Sequence, residues 1–152
     1  MATKTMLCDL DNTLYAGHWY KGGPAVGPNL SVVRLLRRRL REKNTAVTMI
    51  SGRGENMRFD TEMWLRRHVL QEGMRMPAIK LCGDHPEGWH VGKVVAAFET
   101  VRNEGAALVE SFDDDASILL RYREVLSPLC KELRLYQVTG GVVAKWNAKE
   151  AA

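Results

Sequence analysis

A series of short, nearly continuous apolar runs, separated by helix-length stretches, constrains the fold more than any other feature of this sequence. "KTMLCDL", "TAVTMIS", "PAIKLC", "AALVESF" and "LRLYQVTGG" read as strands. Between them, "NLSVVRLLRRRLREKN" places Val32, Val33, Leu35, Leu36 and Leu40 on one helical stripe, with Asn29 or Ser31 as N-cap. "DTEMWLRRHVLQEG" reads as a helix capped by Asp60 or Thr61 and closed by Gly73. "VGKVVAAFETVRNEG" and "SILLRYREVLSPLC" read as two more, the latter capped by Asp115 and cut by Pro128. "YAGHWYKGGPAVGP" and "GDHPEGWH" read as loops. Strands that are apolar on both faces and alternate with helices predict an α/β fold: a parallel, Rossmann-like sheet with helices on both faces.

In such sheets functional groups collect beyond the carboxyl ends of the strands. Here those ends carry "DLDNT", "SGR" and "DDD". Asp9 and Asp11 follow an apolar run and sit among Met6, Leu7, Leu10 and Leu14, where a carboxylate is costly unless its charge is compensated. With Asp113 and Asp114 they make four carboxylates at one sheet edge, a set of hard oxygen donors suited to Mg²⁺. A carboxylate left partly free at such a site can attack phosphorus. A second one, two residues on, can serve as acid for the leaving group and base for water. Ser51, the amides around Gly52, and Lys93 would then hold the phosphoryl group.

Charge and composition narrow the partners. The chain of 152 residues is long enough for one domain with a sizeable core, expected over roughly residues 5–142, ahead of a frayed "AKEAA" tail. Its net charge of +4 suits a polyanion without requiring one. "RLLRRRLREK" reads as a solvated helix face, Trp64 and the other aromatic residues as core or loop anchors with base stacking as the alternative, and the four histidines as ordinary loop or surface residues. Cys8, Cys82 and Cys130 show no zinc or disulfide spacing and read as reduced thiols of a cytoplasmic protein. No apolar run reaches the roughly 20 residues of a membrane helix, and "MATKTML" lacks a signal-peptide core.

"DLDNTL", "TMISGR", Lys93 and "SFDDD", in that order, resemble the four motifs of the haloacid dehalogenase (HAD) superfamily. The resemblance implies a HAD-like phosphatase with Asp9 as nucleophile, Asp11 as general acid and base, and Lys93 as catalytic lysine. It further implies Asn12, Thr13, Ser51, Gly52 and Arg53 at the phosphate, and Mg²⁺ on Asp9, Asp11, Asp113 and Asp114. The short segments between motifs imply a minimal cap or none, and an open site suits large substrates. Arg53 after Ser51-Gly52, the basic and aromatic helix beside it and the closing Tyr136-Gln137-Val138 are similar to the phosphatase domain of polynucleotide kinase–phosphatases. That likeness implies removal of 3′-phosphates from DNA or RNA ends, with Arg53, and Arg58 beside it, gripping the next phosphate along the strand. No GxxxxGK[ST] occurs, so a kinase half is not expected, and Lys80 is the one basic residue near the third motif's loop. The alternatives are a nucleotide or small-metabolite phosphatase of the same superfamily, or a non-catalytic metal-binding partner subunit. Both first-motif aspartates are present, which speaks against the last.

Overall fold

The computed structural model describes residues 3–147, so the "AKEAA" tail lies outside the described residues. The chain runs β1 (Lys4–Cys8), α1 (Trp19–Gly22), α2 (Leu30–Arg41), β2 (Thr45–Ser51), α3 (Arg58–His68), β3 (Ala78–Leu81), α4 (Trp89–Glu104), β4 (Leu108–Asp113), α5 (Ala116–Leu126), β5 (Glu132–Thr139) and β6 (Val142–Lys145). The strands form one sheet in the order β3-β2-β1-β4-β5-β6, parallel throughout except for β6 against β5. After β1 the chain winds outward through β2 and β3, then returns to the other side of β1 with β4. The switch point therefore lies between the carboxyl ends of β1 and β4, where crevices form in doubly wound sheets.

Alternation along each strand builds two cores. Met6 and Cys8, Val47 and Met49, and Phe112 face α2 and α3 through Val32, Leu36, Leu40, Trp64 and Leu65. Leu7, Ile50, Val109 and Leu135 face α4 and α5 through Ala97, Val101, Ile118, Leu119, Tyr122 and Leu126. A period of two that buries both faces makes the strands read as continuous apolar runs.

The arginine run of α2 is only partly a solvated face. Arg34, Arg38 and Arg41 are exposed. Arg37 Nε, by contrast, donates to the Val69 carbonyl at 2.7 Å. Arg39 reaches under the helix to the buried Glu110 of β4, with Nε to Oε1 at 2.8 Å and Nη2 to Oε2 at 3.2 Å. Arg39→Ala would strand a carboxylate that is 2% exposed. Breaking a buried pair from one side typically costs about 3–5 kcal/mol. Chemical denaturation of Arg39→Ala should show a loss of that order, and Arg38→Ala almost none.

The structure redraws three elements and adds two. α3 begins at Arg58, so Asp60 and Thr61 lie inside its first turns rather than capping it, and it ends at His68, ahead of Gly73. Asn29 holds the N-cap position of α2, but its Nδ2 donates to the Thr13 carbonyl at 2.7 Å instead of capping the helix. α4 starts at Trp89, two residues before the expected apolar pattern, which places Lys93 in its second turn. Two elements were not anticipated: the single turn α1 inside a Gly- and Pro-rich loop, and β6, which pairs with β5 across a Gly140-Gly141 hairpin. Asp115 does cap α5, accepting from the Ser117 amide at 2.9 Å.

The segments bordering the sheet's carboxyl edge are short. Residues 9–29 hold α1 and one 3₁₀ turn, and residues 82–88 hold none. Neither forms a cap layer. No helix among the described residues is long and apolar enough to cross a membrane.

Candidate active site

The site is built where β1 and β4 end side by side. Cys8 pairs with Phe112, and the Asp9 amide donates to the Phe112 carbonyl at 3.0 Å, so Asp9 leaves its strand level with Asp113. By strand alternation both carboxylates lie on the α4 side of the sheet. Lys93, 2% exposed, enters between them, with Nζ 3.0 Å from Asp9 Oδ1 and 2.6 Å from Asp113 Oδ2. Thr13 Oγ1 donates to Asp9 Oδ2 at 2.9 Å. Both oxygens of Asp9 are thereby oriented, one by a cation and one by a hydroxyl.

Burial alone would push the Lys93 ammonium down, but Asp9 and Asp113 together outweigh it and hold it well above its usual value. Burial, and then the Asp9 charge, push the Asp113 carboxyl up against the pull of Lys93. The same two causes, in the same order, raise Asp114. Asp9, Asp113 and Asp114 each offer a carboxylate oxygen, and these oxygens lie within 4.8 Å of one another. One lysine does not neutralise three carboxylates, and a hard divalent cation would. This cluster could bind a metal.

Asp11 differs from expectation in where its carboxylate goes. It stands outside the acidic group. Arg53 binds it through both oxygens, Nη2 to Oδ1 at 2.8 Å and Nε to Oδ2 at 3.2 Å, and the Trp19 amide donates to Oδ1 at 3.1 Å. Arg53 in turn is not the outward-reaching arginine that was expected. Its side chain is fully buried, its Nη1 donates to Thr61 Oγ1 at 3.0 Å, and its guanidinium lies over the rings of Trp19 (4.7 Å) and Tyr15 (5.3 Å). Arg58, the other candidate for a strand phosphate, pairs with Glu55 and the Ile79 carbonyl. Lys80 is exposed on edge strand β3.

Ser51 lies at the end of β2, buried, with Oγ accepting from the Arg53 amide at 3.1 Å. The Ser51–Gly54 turn is clamped by the next strand's end. The Cys82 amide donates to the Ser51 carbonyl at 2.8 Å and the Gly83 amide to the Arg53 carbonyl at 3.0 Å. A Cβ on Gly83 would lie 2.7 Å from the Gly52 carbonyl oxygen and 2.7 Å from the Gly54 amide nitrogen, so only glycine permits this approach.

A cleft of about 350 Å³ joins these groups. Asp9, Asp11, Asn12, Gly52, Arg53 and Lys93 line one part of it, and Asp113 and Asp114 complete that part. Asn12 is exposed in a left-handed conformation (φ 59°) that asparagine tolerates. His18, Tyr20 and Trp89 also line the cleft. Sequence reasoning did not place these three, or the supporting Trp19 and Thr61, at the site. The available signal was the density of rings in "YAGHWY" within a segment otherwise rich in Gly and Pro. Trp64, by contrast, is core, its Nε1 donating to the Val26 carbonyl at 2.8 Å.

No protein-family model matches the sequence, and no curated relative does. Solved structures do match in three dimensions. A chain of the Pnkp1/Rnl/Hen1 complex superposes with a TM-score of 0.67 at 18% identity over 91% of this chain. A chain of the Pnkp1/Rnl/Hen1 RNA repair complex gives 0.66 at 20%, again over 91%. The HAD domain of the effector protein Lem4 from Legionella pneumophila gives 0.62 at 11% over 99% of this chain and 92% of that one. The fold is HAD-like. Against the two repair-complex chains, this HAD-like chain spans 46% and 43% of their length. At these identities the likeness is one of fold, and the chemistry has to be argued from the side chains.

Proposed function

We propose that this protein is a Mg²⁺-dependent phosphomonoesterase that works through an aspartyl-phosphate on Asp9 and removes 3′-phosphates from nucleic-acid ends. The observation that carries the reading is the fixing of Asp9 from two sides, by Thr13 Oγ1 at 2.9 Å and by Lys93 Nζ at 3.0 Å, beside two further carboxylates. Any buried aspartate needs such partners; this one also lines an open cleft beside Asp113 and Asp114, where a nucleophile would stand.

The donor set of Asp9, Asp113 and Asp114 fits a hard dication, and Mg²⁺ held there would supply positive charge beside the transferring phosphoryl group. The remaining steps belong to the chain. An Asp9 oxygen attacks phosphorus and the bond to the leaving oxygen breaks. Asp11 gives that oxygen its proton. Asp11, now a carboxylate, takes a proton from water as the water attacks phosphorus. The bond to Asp9 breaks and inorganic phosphate leaves. Of the Asp11 oxygens, Oδ2 is the less committed, with one contact at 3.2 Å, and is the atom assigned to the proton. Arg53 fixes the carboxylate's orientation with two hydrogen bonds. Lys93, Asn12 and the Gly52 amide meet the charge of the phosphoryl oxygens.

The choice of substrate is supported by the uncapped cleft and by the fold shared with chains of an RNA repair complex. A phosphate-release panel tests it, comparing 3′-phosphorylated oligonucleotides, 5′-phosphorylated ones, 3′-mononucleotides and sugar phosphates. The 3′-phosphorylated oligonucleotides should give the highest kcat/KM. A clear preference for sugar phosphates would make this a metabolite phosphatase instead. Release should stop in EDTA and return with Mg²⁺, and Ca²⁺ should support it poorly because its larger, looser coordination misplaces the nucleophile. Full activity after exhaustive chelation would defeat the metal assignment.

A further inference from the structure

We propose that the aromatic rim of the cleft, with Tyr20 as its platform and Trp89 as a fixed wall, receives the nucleobase of the nucleotide that carries the scissile phosphate. The inference rests on the phosphatase reading and narrows its leaving group.

Two observations argue against recognition by lysine or arginine. Among the residues lining the cleft, Lys93 is committed to Asp9 and Asp113. Arg53 is committed to Asp11 and Thr61 through all three of its nitrogens. No lysine or arginine is left there for a second phosphate or a carboxylate on the leaving group. What the cleft offers instead is flat, apolar surface. Tyr20 is 68% exposed, high for a residue with a large ring in a concave site. Its nearest ring neighbour is His18 at 6.0 Å and 33°, too far to cover its face. Trp89 is held differently. His90 stacks on it, and a Cβ on Gly52 would meet the indole at 3.0–3.4 Å. It therefore presents a rigid border beside Lys93, whose Nζ lies 6.0 Å from the ring.

Tyr20 is also placed by the catalytic groups. The preceding residue, Trp19, is buried, donates its amide to Asp11 and carries the Arg53 guanidinium on its ring. The turn that displays Tyr20 thus hangs from the Asp11–Arg53 pair, and a base resting on it is registered against the phosphoryl site. A nucleoside 3′-phosphate has the same polarity as the cleft, with anionic charge at one end and a stacking face at the other. Stacking tolerates any base, so this predicts little sequence preference.

The test compares two oligonucleotides with a 3′-terminal phosphate, one ending in an ordinary nucleoside and one in an abasic tetrahydrofuran residue. p-Nitrophenyl phosphate is unsuitable as a control because its own ring can stack. Wild type should favour the base-bearing end roughly tenfold in kcat/KM. Tyr20→Ala should remove most of that preference by losing activity on the base-bearing end alone, and Tyr20→Phe should keep it. With its side chain exposed, Tyr20 can be replaced without unfolding the protein, and thermal melts check this. Equal kcat/KM on the two ends in wild type, or an equal loss on both in Tyr20→Ala, overturns the inference and leaves the phosphatase reading standing. No release from either end overturns both.

Discussion

Asp9→Asn is expected to bring phosphate release below detection on every substrate while leaving the protein folded. The amide cannot attack phosphorus, and no other carboxylate in the cleft is oriented as Asp9 is. Asp113 is bound to Lys93 and to the Asp115 amide, and Asp11 to Arg53 and Trp19. The fold should survive because Lys93 keeps its 2.6 Å pair with Asp113, and an asparagine side chain can still accept from Thr13. Removing one of three crowded carboxylates also relieves the repulsion that pushes Asp113 and Asp114 up. The thermal midpoint in the absence of metal should therefore match or exceed that of wild type. Added Mg²⁺ should raise it less than in wild type, since one ligand has lost its charge. Release assays and melts on the purified variant check both halves. Substantial turnover by Asp9→Asn would place the nucleophile elsewhere.

The second large effect belongs to Asp11 and the arginine that grips it. Asp11→Asn should lower kcat by about 10²–10⁴-fold on a 3′-phosphorylated oligonucleotide, the usual contribution of a positioned acid and base. The loss should shrink on p-nitrophenyl phosphate, whose leaving group needs little protonation. Arg53→Ala should follow the same pattern, because its guanidinium contacts Asp11 rather than a distal phosphate. The double variant should lose little more than Asp11→Asn alone, as expected when two residues act through one group. A purely structural role for Arg53 would lower activity on both substrates by the same factor. If Arg53→Ala instead raised KM for the oligonucleotide alone, Arg53 would have to reach the strand after all, against its buried position.

That correction shows what could be read from the sequence and what could not. The HAD-like sheet was legible because its three central strands, β1, β2 and β4, are buried on both faces and each ends in a polar cluster. The meeting of Asp9, Asp113 and Asp114 could be anticipated because parallel strands deliver their carboxyl ends to one edge, whereas Lys93, which comes from α4, could be placed only by the order of the motifs. The direction of Arg53 could not. It depends on where Thr61 falls on α3, and on Asp11 turning away from the other carboxylates. Both are set by tertiary packing around Tyr15 and Trp19. Elements of low intrinsic propensity were equally opaque. α1 is one turn among glycines and a proline, held by Asp11 and by Tyr15 packing on Trp19 at 5.6 Å. β6 is a four-residue edge strand whose partner is supplied by a hairpin. α3 opens early at Arg58 because the 3₁₀ turn Glu55–Met57 leads directly into it, without any side-chain cap.

The lack of a cap layer bears on time as well as on space. An enzyme that shuts a lid over its substrate must open it again, and such motions commonly set the pace of turnover. Here the borders of the cleft are one turn of helix pinned by hydrogen bonds and a short loop clamped by backbone at Gly83. The proposed reaction would run on a site already assembled before the substrate arrives. A chain of any length could enter by its tip and leave by the same route, and the slow step would fall to bond breaking at phosphorus or to the departure of the product strand. The same exposure keeps water beside the phosphorylated aspartate, so the group it carries would pass to solvent rather than wait for a chosen acceptor.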